Sequence, residues 1–197
     1  MVLVNIGFDF DGVIVDISNR NEIKSRWADT LYGVKIPAEK FSKSHVVGGG
    51  YLTIEQYAGL QNHVYNSREV GLDMSPVPGV LEFLPRLTAQ GHVAKVITSR
   101  EPAAAALAGE WLDAHGLDID IVGIGQSASK AEAASKLGLS VFVDDEYHKL
   151  QNLIGVVAHR FLFTWPYNAR VEAGYVAIRV SSWGELYYAV QALRGGR

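Results

Sequence analysis

Short apolar runs alternate with amphipathic stretches along most of this chain. The first run, residues 2–8 (VLVNIGF), ends abruptly at Asp9. Its branched and aromatic side chains are typical of a strand that is buried on both faces, as in a parallel sheet covered by helices. Further strands are predicted at residues 92–98, 119–124, 140–144, 156–163 and 175–180.

The stretches between these strands have helical spacing. A helix is predicted from Val80 to about Gln90, and the others at residues 102–115, 129–137, 146–153 and 182–193, the last capped by Ser181 or Ser182. Strands that alternate with helices of this length form βαβ crossovers. The sequence therefore predicts an α/β fold with a doubly wound, mostly parallel, Rossmann-like sheet flanked by helices.

Residues 17–77 interrupt this alternation, because they contain no strong strand. A helix is predicted from Ile17 to Tyr32, with Asp16 or Ser18 as its cap, and another over residues 53–67. An irregular connection of this length is rare in a compact domain. We therefore expect a catalytic core domain made of residues 1–16 and 78–197, with a small helical cap domain, residues 17–77, inserted after the first strand.

Composition narrows the function classes. The 197 residues are 48% hydrophobic and 20% charged, with a net charge of −3 and no cysteine, and the pI is near 6.1. These values disfavour a nucleic-acid-coating surface and exclude disulfides and thiolate metal sites. No segment reaches the roughly 18 apolar residues of a membrane span. We expect a cytoplasmic protein without a membrane partner; a homodimer is compatible with the sequence.

The candidate chemistry begins where the first strand ends. Asp9 and Asp11 point the same way along an extended chain, roughly 6.6 Å apart, which is enough to flank a phosphoryl group. Gly12 lets the backbone turn sharply after them. Taken alone, this tetrapeptide is equally well an ordinary turn, since Asp and Gly favour turns.

Polar residues also end the later strands. Thr98 and Ser99 offer hydroxyls and backbone N–H groups to an anion, although a helix cap explains them equally well. Lys130 opens a helix, where a cation is unfavourable without an anionic partner. Asp144 and Asp145 are adjacent carboxylates that need a compensating cation, and Mg²⁺ suits them. The six histidines are scattered and lack zinc-ligand spacing.

In this order, Asp9-x-Asp11-Gly, Thr98, Lys130 and Asp144-Asp145 resemble the four motifs of the haloacid dehalogenase superfamily, and specifically its phosphatases. The resemblance implies that Asp9 is the nucleophile and forms an aspartyl-phosphate. Asp11 is then the proton donor and base, and its carbonyl binds the metal. Thr98, Ser99 and Lys130 would hold the phosphoryl oxygens. The implied Mg²⁺ ligands are Asp9, Asp11, Asp144 and Asp145, with Asp145 favoured over Asp144 as the direct ligand.

A closer resemblance, to the 5'(3')-deoxyribonucleotidase family, covers most of the chain outside the cap. It rests on short blocks at residues 76–79, 96–99, 111–112, 143–145, 162–164 and 182–183, together with Leu84 and Asn168. It implies a nucleoside monophosphate as substrate. The cap matches this family poorly, its aromatic residues are expected to pack in its own core, and Arg100 has no implied role.

Three alternatives stay open at the level of sequence. The same chemistry can act on a sugar phosphate or on the 3'-phosphate of a polynucleotide, although the acidic pI disfavours the polynucleotide. A catalytically inactive module that binds nucleotide or phosphate is the third, because a fold alone never establishes activity.

Overall fold

The computed structural model describes residues 3–125 and 128–193. Six strands form a single sheet in which all neighbouring strands run parallel. They are β1 (Asn5–Phe8), β2 (Val93–Thr98), β3 (Asp120–Gly123), β4 (Val141–Asp144), β5 (His159–Phe163) and β6 (Ile178–Val180). The order β3-β2-β1-β4-β5-β6 reverses its direction of winding between β1 and β4. The predicted doubly wound, Rossmann-like α/β fold is thus confirmed.

Helices connect these strands. They are α1 (Arg20–Tyr32), α2 (Lys43–Gly48), α3 (Ile54–Asn66), α4 (Arg68–Gly71), α5 (Val80–Ala89), α6 (Pro102–Ala114), α7 (Lys130–Lys136), α8 (Tyr147–Gln151) and α9 (Trp183–Ala192), with a 3-10 turn at Ala38–Lys40. Within residues 3–125 and 128–193, no helix is both long and apolar enough to cross a membrane.

The central strands are the most buried part of the sheet. Ile6 and Phe8 in β1 are fully buried, and so is every residue of β4. Trp183 of α9 packs its ring against Phe8, with 5.2 Å between the ring centroids, and donates a hydrogen bond to the Val13 carbonyl (2.8 Å). Apolar packing from the helices therefore fixes the strand that precedes Asp9 and the loop that follows Asp11.

The chain divides into two compact units, one made of Met1–Asp16 and Ser75–Arg197, the other of Ile17–Met74. The sequence placed the return to the core at residue 78. In the structure the chain already rejoins the core unit at Ser75, because the Asp16 N–H bonds the Ser75 carbonyl and the Val77 N–H bonds the Ile14 carbonyl.

The smaller unit has its own apolar core. Its buried members are Ala28, Ile36, Phe41, Val46, Leu52, Leu60, Val64 and Val70. Trp27, Tyr32 and Tyr57 pack against this core, as expected for cap aromatics. Thr53 closes a capping box with Gln56 at the start of α3.

Three predicted element starts are wrong. Strand β5 begins at His159 rather than at residue 156. Helix α1 begins at Arg20 with Asn19 as its N-cap, so neither Asp16 nor Ser18 caps it. The chain must first leave the core pairing at Asp16 before it can turn into a helix. Strand β6 begins at Ile178 rather than at residue 175, because residues 174–176 form a turn in which the Val176 N–H bonds the Ala173 carbonyl.

Candidate active site

Three adjacent strands bring their polar ends to one edge of the sheet. Strand β1 lies between β2 and β4, and Asp9 follows β1 directly, its N–H bonding the Val143 carbonyl (2.9 Å). Thr98 is the last residue of β2 and Asp144 the last of β4. The carboxyl edge of a parallel sheet, at the point where the winding reverses, is where ligands bind in such folds.

Lys130 connects two carboxylates at this edge. Its Nζ lies 2.9 Å from Asp9 Oδ1 and 2.7 Å from Asp144 Oδ2. Helix α7 delivers it at its first position, after Ser129, whose Oγ accepts a hydrogen bond from the Ala131 N–H (3.2 Å). The anionic partners that a lysine needs at a helix start are therefore these buried aspartates.

Three buried carboxylates gather beside this lysine. One oxygen from each of Asp9, Asp144 and Asp145 lies within 4.8 Å of the others. Three oxygen ligands in one pocket are the donor set that hard divalent cations prefer. Among the described residues this is the one cluster able to hold a metal ion, and it contains no histidine.

Two acids of this cluster, Asp9 and Asp145, have raised pKa values. Burial raises the pKa of Asp9 to about 6, although the positive charges of Lys130 and Lys149 oppose the shift. Burial, with the negative charges of Asp9 and Asp144, raises the pKa of Asp145 to about 8. Lys130 and Lys149 cannot neutralise all three carboxylates, because Lys149 also pairs with Glu146, so a further cation would be stabilised in this pocket.

The lysine itself keeps its charge. Burial alone would lower its pKa, but the carboxylates of Asp144 and Asp9 raise the pKa of Lys130 well above its usual value. Lys149 on α8 lies near the same acids and pairs with Glu146 (2.8 Å); its pKa is also raised, against its burial, chiefly by Asp9.

Two side chains from the loop after β5 hold both the backbone and the carboxylate of Asp145. Asn168 donates from Nδ2 to the Asp145 carbonyl (2.8 Å) and to the Phe163 carbonyl (2.8 Å), and the Tyr167 hydroxyl bonds Asp145 Oδ2. Gly12 has a φ of +80°, and a Cβ there would lie 2.5 Å from Asp145 Oδ2. Gly12 therefore allows both the turn after Asp11 and the close approach of Asp145.

Asp11 is engaged differently from Asp9. Arg100 donates from Nε to Asp11 Oδ2 (2.9 Å) and from Nη2 to Asp11 Oδ1 (2.7 Å), a bidentate ion pair. The side chain of Asp11 is therefore turned to a guanidinium rather than joined to the three-carboxylate cluster. The two aspartates of the first motif consequently have separate chemical environments.

The remaining predicted site residues lie at the end of β2. Thr98 is buried, and its Oγ1 accepts a hydrogen bond from the Arg100 N–H (3.2 Å). Ser99 follows in the same bend and is half-buried.

Sequence reasoning missed the partners of these residues. Arg100 pairs with Asp11, which lies 89 positions earlier in the sequence. The one feature of the sequence that could have indicated a role for Arg100 is its position near Thr98 at the end of a strand. Neither the Tyr167 contact nor the influence of Lys149 on Asp9 has a sequence signal.

Solved structures share this architecture. The structure superposes on that of a HAD family hydrolase from Deinococcus radiodurans, with bound phosphate and sodium, at a TM-score of 0.68, 15% identity and 96% coverage of both chains. It also matches a haloacid dehalogenase-like family hydrolase from Streptococcus pneumoniae at a TM-score of 0.65, 16% identity and 98% coverage of both. The fold is that of the haloacid dehalogenase-like hydrolases.

Sequence comparison is more specific. The family model for "5' nucleotidase, deoxy (Pyrimidine), cytosolic type C protein" matches residues 2–194. The chain belongs to this nucleotidase family, and the protein is a phosphoric monoester hydrolase. A protein of Chlorobaculum tepidum named "Putative 5'(3')-deoxyribonucleotidase" is 24% identical over 200 residues, covering 95% of this chain and 90% of its own length. The expected resemblance to haloacid dehalogenase phosphatases and deoxyribonucleotidases is confirmed.

Proposed function

We propose that this protein is a Mg²⁺-dependent phosphomonoesterase that hydrolyses nucleoside monophosphates through an aspartyl-phosphate on Asp9. The observation that carries the proposal is the buried constellation in which Asp9, Asp144 and Asp145 lie within 4.8 Å of one another and Lys130 contacts Asp9 at 2.9 Å. A nucleophile, a phosphate-binding cation and a candidate metal site are thereby combined at one sheet edge.

The donor set fits a magnesium ion. Burial, and after it the negative charge of the neighbouring carboxylates, raises the pKa values of Asp9 and Asp145, and a bound divalent cation would favour their ionised forms. Both Asp144 oxygens already accept hydrogen bonds, one from Lys130 (2.7 Å) and one from the Glu146 N–H (2.9 Å). This supports Asp145 over Asp144 as the direct ligand, with Asp9 and the Asp11 carbonyl beside it. The bound ion would offset negative charge on the phosphoryl group.

Asp9 is the proposed nucleophile. Both hydrogen bonds described for its carboxylate fall on Oδ1, from the Phe10 N–H (2.9 Å) and from Lys130 (2.9 Å). These contacts orient the carboxylate while the other oxygen attacks phosphorus. In the proposal, Lys130, Thr98 and Ser99 hold the oxygens of the transferring phosphoryl group.

Asp11 is the proposed proton-transfer group. It would protonate the leaving oxygen as the ester bond breaks, and then take a proton from the water that attacks the aspartyl-phosphate. Its separation from the three-carboxylate cluster suits this role, because a proton donor must not be committed to a metal ion through its side chain.

The substrate class follows from the family. Its description specifies 5' nucleotidases that act on deoxy and pyrimidine substrates, and the C. tepidum relative carries a deoxyribonucleotidase name. We therefore propose a (deoxy)nucleoside 5'-monophosphate as substrate, and a cytoplasmic location by the same family inference.

Phosphate release tests this function. Purified protein is assayed with nucleoside 5'- and 3'-monophosphates, sugar phosphates and a 3'-phosphorylated oligonucleotide, in Mg²⁺ or in EDTA. We expect turnover of monophosphates in Mg²⁺, loss of turnover in EDTA, and at least a 1,000-fold lower kcat in Asp9→Asn, since covalent catalysis is then removed.

Each alternative has its own outcome in this assay. Preference for sugar phosphates or for the oligonucleotide would replace the nucleotide as substrate while keeping the chemistry. Full activity in Asp9→Asn would refute the mechanism, and nucleotide binding without any phosphate release would indicate a binding module. Asp113→Asn, in α6 and away from the strand ends, is the matched control and should retain wild-type turnover.

A further inference from the structure

We infer that Arg100 is a positioning residue that holds the Asp11 carboxylate in the orientation from which it transfers protons. The inference rests on the role proposed above for Asp11. It assigns a function to a residue that neither the motif pattern nor the family resemblance explains.

The contact between them is bidentate and largely removed from water. Nε and Nη2 of Arg100 reach Oδ2 and Oδ1 of Asp11 at 2.9 and 2.7 Å, and the two side chains are only 5% and 18% exposed. Two parallel hydrogen bonds fix the plane of the carboxylate as well as its position. A lysine would offer a point charge without that orientation.

Arg100 is held at two further points, its guanidinium and its backbone N–H. Its Cζ lies 4.8 Å from the centroid of the Phe10 ring, and Phe10 packs edge-on against Trp111 of α6 with 5.6 Å between centroids. The Arg100 N–H bonds Thr98 Oγ1 (3.2 Å), which fixes the bend after β2. Contacts with β2, and through Phe10 with α6, thus restrain Arg100, and Arg100 in turn restrains Asp11 in the loop after β1.

This rigidity matters for both proposed chemical steps. In the first, the bond from phosphorus to the ester oxygen breaks as Asp9 bonds to phosphorus, and the Asp11 proton moves to the departing oxygen. In the second, water bonds to phosphorus, the bond from phosphorus to Asp9 breaks, and Asp11 recovers a proton from that water. A protonated carboxyl group retains an acceptor oxygen for Arg100, so the arginine can orient Asp11 in both states.

The nature of the leaving group separates this role from a structural one. An alkyl phosphate, such as a nucleoside 5'-monophosphate, leaves as a strongly basic alkoxide and needs the proton from Asp11. p-Nitrophenyl phosphate leaves as a weakly basic phenolate and hardly needs it. Loss of correct proton transfer should therefore slow the first substrate much more than the second.

The experiment compares kcat/KM for these two substrates in wild-type protein, Arg100→Gln, Arg100→Lys and Asp11→Asn. We expect Arg100→Gln to lose about 100-fold on the alkyl phosphate and less than about tenfold on p-nitrophenyl phosphate, with the fall in kcat rather than a rise in KM. Arg100→Lys should show the same selectivity in weaker form, and Asp11→Asn in stronger form. The ratio of the two values is independent of how much of a variant folds.

Arg86→Gln is the matched control, because Arg86 also pairs with a carboxylate (Glu82, 2.9 Å) but lies on the surface of α5. It should leave the ratio unchanged. Equal losses on both substrates in Arg100→Gln, with a selective loss in Asp11→Asn, would overturn the inference and leave the proposed function standing. An unselective Asp11→Asn, or a wild-type protein that cleaves neither substrate, would overturn the proposed role of Asp11 and this inference with it.

Discussion

Asp9 and Asp11 are separated by one residue, yet their side chains have different surroundings. Asp9 is 3% exposed, lies within a cluster of carboxylates, and has a pKa raised to about 6 by burial. Asp11 instead faces the guanidinium of Arg100. Two carboxylates in different electrostatic environments are able to take different roles, and the roles proposed for them are attack and proton transfer.

Among the residues around this cluster, Lys130 is the one whose substitution should affect the charge of the site most. Lys130→Gln leaves three buried carboxylates without their closest cation. Removal of one partner from a buried ion pair typically costs about 3–5 kcal/mol, because an uncompensated charge remains. We therefore expect a lower free energy of unfolding by that amount, measured by urea denaturation at neutral pH in EDTA, together with a loss of phosphate release.

Lys136→Gln in the same helix is the control for this prediction. Its side chain is 73% exposed and pairs with Glu132, so its removal should cost less than about 1 kcal/mol. Mg²⁺ should recover part of the stability of Lys130→Gln, since it supplies the missing positive charge. A Lys130→Gln variant as stable as Lys136→Gln would contradict the buried network.

At the scale of elements, the loop after β5 supports the candidate site through hydrogen bonds to the backbone of two other loops. Asn168 is buried there, and it ties this loop to the acid pair that ends β4. Its Oδ1 accepts the Trp165 N–H (2.9 Å), and Trp165 in turn donates from Nε1 to the Gly12 carbonyl (2.7 Å). The loop after β5 therefore connects the turn after Asp11 with the backbone of Asp145.

Asn168→Ala should loosen this connection. The substitution leaves the Asp145 and Phe163 carbonyls without the donor that satisfies both. Each unsatisfied buried group costs about 1–3 kcal/mol, so we expect the two together to lower the free energy of unfolding by about 2–6 kcal/mol. Calorimetric titration should also show weaker Mg²⁺ binding. Asn152→Ala, at an exposed position after α8, is the control; equal metal affinity in both variants would refute the role of this loop.

For the whole molecule, the cluster couples stability to pH and to metal. Without metal, the pKa values of Asp9 and Asp145 are raised from 3.8 to about 6 and about 8. Between these values and the ordinary one the folded state binds more protons than the unfolded state. The free energy of unfolding must therefore fall as pH rises through this window.

This predicts a measurable pH dependence. In EDTA, the free energy of unfolding should decrease from about pH 5 to about pH 8, and the increment gained from Mg²⁺ should grow over the same range. Urea denaturation at several pH values measures both. In EDTA, Asp145→Asn should show a smaller decrease and be more stable than wild type at the upper end. Stability that rises with pH in EDTA-treated wild-type protein would contradict the raised pKa values.

The sequence by itself determined the class of fold and most members of the candidate site. Apolar runs at strand length, separated by helical spacings, require a parallel α/β sheet, and the residues that end these runs must then share one edge. For this reason Asp9, Thr98, Asp144 and Asp145 were predictable as neighbours. Element starts were less predictable, because α1 begins only after the core pairing at Asp16 ends, and β6 begins only after the turn at residues 174–176.

Only the tertiary structure decided how these residues are partnered. Contacts such as Arg100 with Asp11 and Trp165 with Gly12 join residues 89 and 153 positions apart, and no local pattern encodes such distances. The same holds for the pKa values, since burial and the charges of neighbours from other strands produce them. The sequence thus named the chemical groups, while the packing of strands β1, β2 and β4 gave each aspartate its separate environment.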